Sequence, residues 1–159
     1  MRGLIIFICG ALAGLFLETD RPEISNPDVF MLNHIGINVD DIDESLAFYE
    51  QKMGFERIYG LANEEGEVGL VYLKVGENTF LELNAVEGNT PRGFTHVGIQ
   101  VEDIETVKAI YQSRGAAPTE TFESNSQALR SFMVDPQGVP VELFEYPPDS
   151  ELGNALAGE

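Results

Sequence analysis

His34-Ile35-Gly36-Ile37-Asn38-Val39-Asp40-Asp41-Ile42-Asp43 returns later in the chain as His96-Val97-Gly98-Ile99-Gln100-Val101-Glu102-Asp103-Ile104-Glu105. The His, Gly, Ile, Val, Asp and Ile positions are identical, and the other four are close exchanges. A self-similar period of this kind marks two units of roughly 60 residues in tandem. The repeat also holds the protein's only two histidines. One His in an apolar strand reads as a satisfied core residue. Two at equivalent repeat positions read as a pair with one task, with a duplicated structural His as the alternative.

A strand alternates its side chains between two faces. Ile35, Ile37 and Val39 form one apolar face of the first copy, and His34, Gly36 and Asn38 form the other. In the second copy Val97, Ile99 and Val101 oppose His96, Gly98 and Gln100. Each His therefore points away from the face that packs on a helix. A Gly beside it leaves room and an amide follows, which is the pattern of a cavity wall. Phe94 shares the His96 face by the same alternation.

Each copy opens a unit of the same order. In the first, from about residue 31 to 86, Asp41 is a helix N-cap with Glu44 three residues on. Ile42, Leu46, Tyr49 and Met53 recur at helical spacing as a core stripe, and Gly54 stops the helix. Strands are expected over 55–59, 68–75 and 79–83, with turns at 63–66 and 76–78. In the second unit, from about 94 to 146, a strand over 94–101 precedes a helix over 103–114 that buries Ile104, Val107 and Ile110. Strands follow over 118–122, 129–134 and 139–146, with Asp135-Pro136-Gln137-Gly138 as a turn. The fold class is α+β, with two tandem βαβββ modules. The tail, 147–159, reads as loop or a loosely docked end.

The last strand of each module carries a Glu among large apolar residues. Glu82 shares a face with Phe80 and Asn84, and Glu142 shares one with Phe144 and Tyr146. Glu145 lies on the opposite face. A buried carboxylate is unfavourable unless it is paired or bound to metal. An edge-strand Glu facing water is the plain alternative for either one alone. Both modules, however, repeat the His-to-Glu order. Two imidazoles and two carboxylates without thiolate suit one divalent metal: Ni, Zn, Co, Mn or Fe. Four such ligands leave positions open for Lewis-acid chemistry. Asn38, Phe80, Asn84, Phe94, Gln100 and Phe144 are expected to line the substrate pocket.

The net charge of −18 and a sequence pI near 4.2 disfavour nucleic acid as a partner. Arg57, Arg92 and Arg130 are candidate contacts for an anionic substrate. Residues 1–19 differ from the rest: Arg2 precedes an apolar run from Leu4 to Leu17. This reads as a secretory signal peptide or an uncleaved N-terminal anchor, followed by a linker at 20–30. The expected destination is periplasmic or secreted if the signal is cleaved, and the membrane otherwise. Cys9 is the sole cysteine, so no internal disulfide forms.

At these residues the chain resembles the vicinal oxygen chelate superfamily, the glyoxalase/bleomycin-resistance/dioxygenase fold. The motifs are His34-Ile-Gly-Ile, Ala47-Phe-Tyr49 leading to Met53-Gly-Phe55, His96-Val-Gly-Ile, and Asp135-Pro-Gln-Gly-Val-Pro-Val-Glu142-Leu. The resemblance covers 31–146 and implies curved mixed sheets enclosing a metal cavity. The order His34, Glu82, His96, Glu142 is most similar to glyoxalase I, the lactoylglutathione lyase group. That similarity implies all four as metal ligands. It also implies Glu142 or Glu82 as the base that removes a proton beside a carbonyl, with stabilisation of an enediolate. Methylmalonyl-CoA epimerases do related chemistry but typically carry Gln at the position of Glu82. Two further readings stay open. One is a binding protein of the bleomycin-resistance type. The other is an iron extradiol-type dioxygenase needing only His34, His96 and Glu142. A small-molecule substrate and a possible homodimer complete the expectation.

Overall fold

The computed structural model describes residues 31–147 and 149–157. The expected signal or anchor and the linker lie outside these residues. None of the described helices is long and apolar enough to cross a membrane.

Module one comprises β1 (Met31–Val39), α1 (Ile42–Leu46), β2 (Glu56–Ala62), β3 (Val68–Gly76) and β4 (Thr79–Ala85). Module two comprises β5 (Gly93–Gln100), α2 (Ile104–Ser113), β6 (Phe122–Glu123), β7 (Leu129–Val134) and β8 (Pro140–Glu145), with α3 (Glu151–Ala157) after it. The eight strands form one mixed sheet in the order β2-β3-β4-β1-β5-β8-β7-β6. The modules join through the antiparallel pair β1–β5, the two strands that carry the repeat. The ends of the sheet curl toward each other, since β2–β3 and the β6–β7 hairpin line one shared cavity.

The repeated local chemistry gives repeated helix starts. Asp41 accepts from the Glu44 N–H, and Asp103 accepts from the Thr106 N–H, each at 2.9 Å. Such a cap stabilises a helix by about 1 kcal/mol. Glu145, on the outer face, accepts from the Ile104 N–H at 2.8 Å and ties β8 to the start of α2. Each helix covers its own core. Leu46, Val71, Leu73, Leu81 and Leu83 fill the first. Val101, Ile104, Val107 and Leu143 fill the second.

Four expectations need correction. After Leu46 the first helix continues as a π-helical segment, Ala47–Lys52, in which the Met53 N–H reaches back to Phe48. The wider turn breaks the 3.6-residue stripe, so Met53 is exposed rather than in the core. Ile35, expected beneath a helix, is 40% exposed. It faces Val97 at the centre of the sheet, between the two helix-covered cores. The strand expected over 118–122 shrinks to Phe122–Glu123. Pro118 has no N–H, and the Thr119 hydroxyl takes the Phe132 N–H at 2.9 Å. The tail is a docked helix. Ser150 caps it through the Gly153 N–H, and Leu152 is buried against Tyr72 and Phe80. Burying that leucine is worth about 1.5–3 kcal/mol.

Candidate metal centre

The two histidines meet because of the β1–β5 register, in which His34 faces Gly98 and His96 faces Gly36. A methyl group on Gly36 would overlap the His96 ring, and one on Gly98 would overlap the His34 ring. Each glycine is therefore the clearance for the other module's histidine. The carboxylates arrive on the parallel neighbours: Glu82 of β4 beside Gly36, and Glu142 of β8 beside Gly98.

The four side chains are buried, and one ligand atom from each lies within 4.8 Å of the others. The two Nε2 atoms are 2.9 Å apart. Glu142 Oε2 stands 3.0 Å from His34 Nε2 and 3.3 Å from His96 Nε2. Glu82 is 3.8 Å from both imidazoles, through Oε2 to His34 and Oε1 to His96. Ligands that share an ion at about 2.0–2.2 Å stand about 3 Å apart when adjacent and about 4 Å apart when opposed. These separations fit that range.

The proton inventory also fits a cation. Asn33 Nδ2 donates to Gln100 Oε1, which turns Asn33 Oδ1 toward His34 Nδ1 at 3.1 Å. Asn33 Oδ1 therefore accepts from the His34 Nδ1–H, and Nε2 faces inward toward the other three side chains. Thr95 Oγ1 holds His96 Nδ1 at 2.9 Å. Two imidazole Nε2 atoms and two carboxylates, the carboxylates at 2% and 0% exposure, converge in one buried place. A divalent ion would balance the two carboxylate charges there.

The surroundings of the two carboxylates differ. Glu82 accepts from the Tyr72 hydroxyl and, at 2.8 Å, from Asn84 Nδ2. Burial, then the Glu82 charge, push the Tyr72 hydroxyl well above its ordinary value, so it remains a donor. Glu142 has Arg130 Nη1 at 3.0 Å from Oε1, an ion pair without hydrogen-bond alignment. Burial alone would raise the Glu142 carboxyl. Its bonds to His34 and His96 and the Arg130 charge outweigh burial and bring it to about 2. Burial likewise lowers His96, but the hydrogen bond to Glu142 and the charges of Glu82 and Glu142 leave it raised.

The expected pocket residues do not share one pocket. Phe144 packs on the His34 ring at 5.0 Å, and Asn84 holds Glu82. Phe80 and Gln100 line a cavity of about 160 Å³ with Tyr146. Asn38 is tied to the Pro91 carbonyl at 3.0 Å. Phe94 is 51% exposed, a correction with a clear cause. A register shift sets Phe94 opposite Ile37, so it leaves the His96 face. Arg57 and Arg92 pair with Glu50 and Asp40. Only Arg130 of the three candidate arginines reaches the centre. Tyr72 went unread in the sequence, although pairing β3 with β4 about their turn places it opposite Glu82.

The family model for the Glyoxalase/Bleomycin resistance protein/Dioxygenase superfamily matches residues 31–143. The chain belongs to that superfamily. Among curated members it is similar to the lactoylglutathione lyase of Schizosaccharomyces pombe, at 27% identity over 79% of this chain and 51% of that one. The chain thus spans about half the length of that relative. It is also similar to a probable lactoylglutathione lyase of Synechocystis, at 30% identity over 74% of this chain and 95% of the relative. Among solved superfamily folds, a Streptomyces coelicolor methylmalonyl-CoA epimerase variant in complex with 2-nitronate-propionyl-CoA aligns with a TM-score of 0.64. It is 22% identical, covering 77% of this chain and 99% of that one. A hypothetical protein from Bacillus halodurans C-125 aligns with a TM-score of 0.63 at 23% identity, covering 77% and 98%. The two structural likenesses carry the fold.

Proposed function

We propose that this superfamily member is a metal-dependent lyase or isomerase of the glyoxalase type, acting on a small substrate with vicinal oxygens. The observation that carries the reading is the buried His34, Glu82, His96 and Glu142 cluster. The similarity to lactoylglutathione lyases supports it. All four proposed ligands are side chains of one chain. A divalent ion held there supplies Lewis acidity toward the substrate's oxygens.

The chain's own residues divide the remaining work. Asn33 and Thr95 orient the imidazoles. The Arg130 guanidinium beside Glu142 holds it as a carboxylate, which makes it a firm ligand and a weak base. Glu82 is held by neutral donors, so it is the better group to take a proton from a carbon beside a carbonyl. It then returns that proton to the neighbouring carbon.

The test is Glu82→Gln in protein loaded with Ni, Zn or Co and assayed for lactoylglutathione lyase activity. The reading predicts turnover in the wild type and a loss of about a hundredfold or more in the variant. A variant that keeps full metal and full turnover would reduce the centre to His34, His96 and Glu142, the dioxygenase ligand set.

A further inference from the structure

A cavity of about 430 Å³ lies where the two ends of the curved sheet approach each other. Leu61 and Leu70 of module one and Phe122 of module two give it apolar walls. Ser124, Asn125 and Ser126 give it hydrogen-bonding groups, and Arg130 lies in its wall. Arg130 is also the residue that touches the metal cluster, with Nη1 at 3.0 Å from Glu142 Oε1. Nη2 points the other way, 3.4 Å from Ser126 Oγ in the cavity lining. The guanidinium thus spans the distance between cavity and centre. Its side chain is 14% exposed, so its charge is poorly screened by water.

Charge counting gives the site a preference. Glu82 and Glu142 bring two negative charges, Arg130 brings one positive, and a divalent ion brings two more. The sum is one uncompensated positive charge in a buried place. A guanidinium has five donors, and Glu142 and Ser126 engage only part of them. Glu123 is the acidic residue in the cavity lining, and it is exposed to water.

We propose that the 430 Å³ cavity is the substrate's anion subsite, with Arg130 receiving a carboxylate while the substrate's vicinal oxygens reach the metal centre. The substrate class is then a small carboxylate whose chelating oxygens and acid group stand at opposite ends of a short apolar body. This rests on the metal-centre reading above.

The probe is adipic acid monohydroxamate, which offers a two-oxygen chelator at one end and a carboxylate at the other. Its monoamide is the neutral control. Both are titrated calorimetrically into the metal-loaded full chain, with metal content measured in parallel by elemental mass spectrometry. The carboxylate should bind about tenfold or more tightly than the amide to the wild type. That advantage should vanish in Arg130→Leu that still holds its metal. Asn125→Asp, at an exposed position of the cavity lining, should also reduce it. Equal affinity of the two probes for the wild type, or an undiminished advantage in both variants, would overturn the assignment. Loaded protein that binds both probes equally overturns the anion subsite alone. Protein that takes up no metal and binds neither probe overturns the metal centre and this inference together.

Discussion

The two modules place the same candidate ligands with the same backbone, yet they hold the two carboxylates by opposite means. Tyr72 faces Glu82 across β3–β4, and Phe132 faces Glu142 across β7–β8. Two pairs further along, on the same face, Leu70 faces Asn84 in module one, and Arg130 faces Phe144 in module two. Module one therefore surrounds its Glu with neutral donors. Module two surrounds its Glu with rings and sets a full positive charge beside it. The repeat decides where the ligands stand. The residues one strand outward decide how strongly each carboxylate keeps its charge.

The largest test of that contrast is Arg130→Leu. It leaves a buried Glu142 without its cation, and removing one partner of a buried pair costs about 3–5 kcal/mol. Chemical denaturation of metal-free protein should show a loss of that order. Loading with metal should recover much of it, because an ion replaces the missing charge. Equal losses in both forms would mean that Arg130 acts by packing alone.

Gly98→Ala and Gly36→Ala test the symmetry instead. Each methyl displaces the opposite module's histidine, so both variants should lose about 10–100-fold in metal affinity. A loss in only one of them would show that one imidazole is dispensable. Tyr72→Phe should do less. It removes one donor from buried Glu82, at about 1–3 kcal/mol of stability, with metal retained.

The smallest effect is a pH dependence of opposite sign in the two forms. His96 is raised above 6.5, so its protonated form stabilises the metal-free protein at low pH. That contribution is lost as pH rises through the raised value. Glu142, lowered from 4.5 to about 2, contributes above its ordinary value and loses that contribution as pH falls through about 2. Metal competes with the His96 proton, so the gain in melting temperature on metal addition should grow as pH rises across neutrality. A gain that is flat with pH would place no titrating histidine at the centre.

Much of this was legible in the chain. The repeat exposed both histidines, both glycines and the module order, because strand alternation and helix capping are local. Glu82 and Glu142 followed from their position among apolar neighbours. What the sequence concealed depended on pairing or on docking. The bulge that turns Phe94 outward is a property of the β1–β5 ladder, and the π-helical turn that exposes Met53 departs from the 3.6-residue spacing by which the stripe was read. Tyr72 and Arg130 acquire their roles only across strand pairs. The tail did carry a signal, Ser150 with Leu152 and Leu156 at helical spacing, but its burial partners lie in β3 and β4.

The most direct test of the central claim is the metal content of the full chain, purified without chelator and measured by elemental mass spectrometry beside His34→Ala. About one divalent ion per chain is expected in the wild type, and its loss in the variant. A wild-type chain that stays metal-free after reconstitution with Ni, Zn, Co, Mn and Fe would contradict it. The fold would then be read as a small-molecule binding protein without a metal centre.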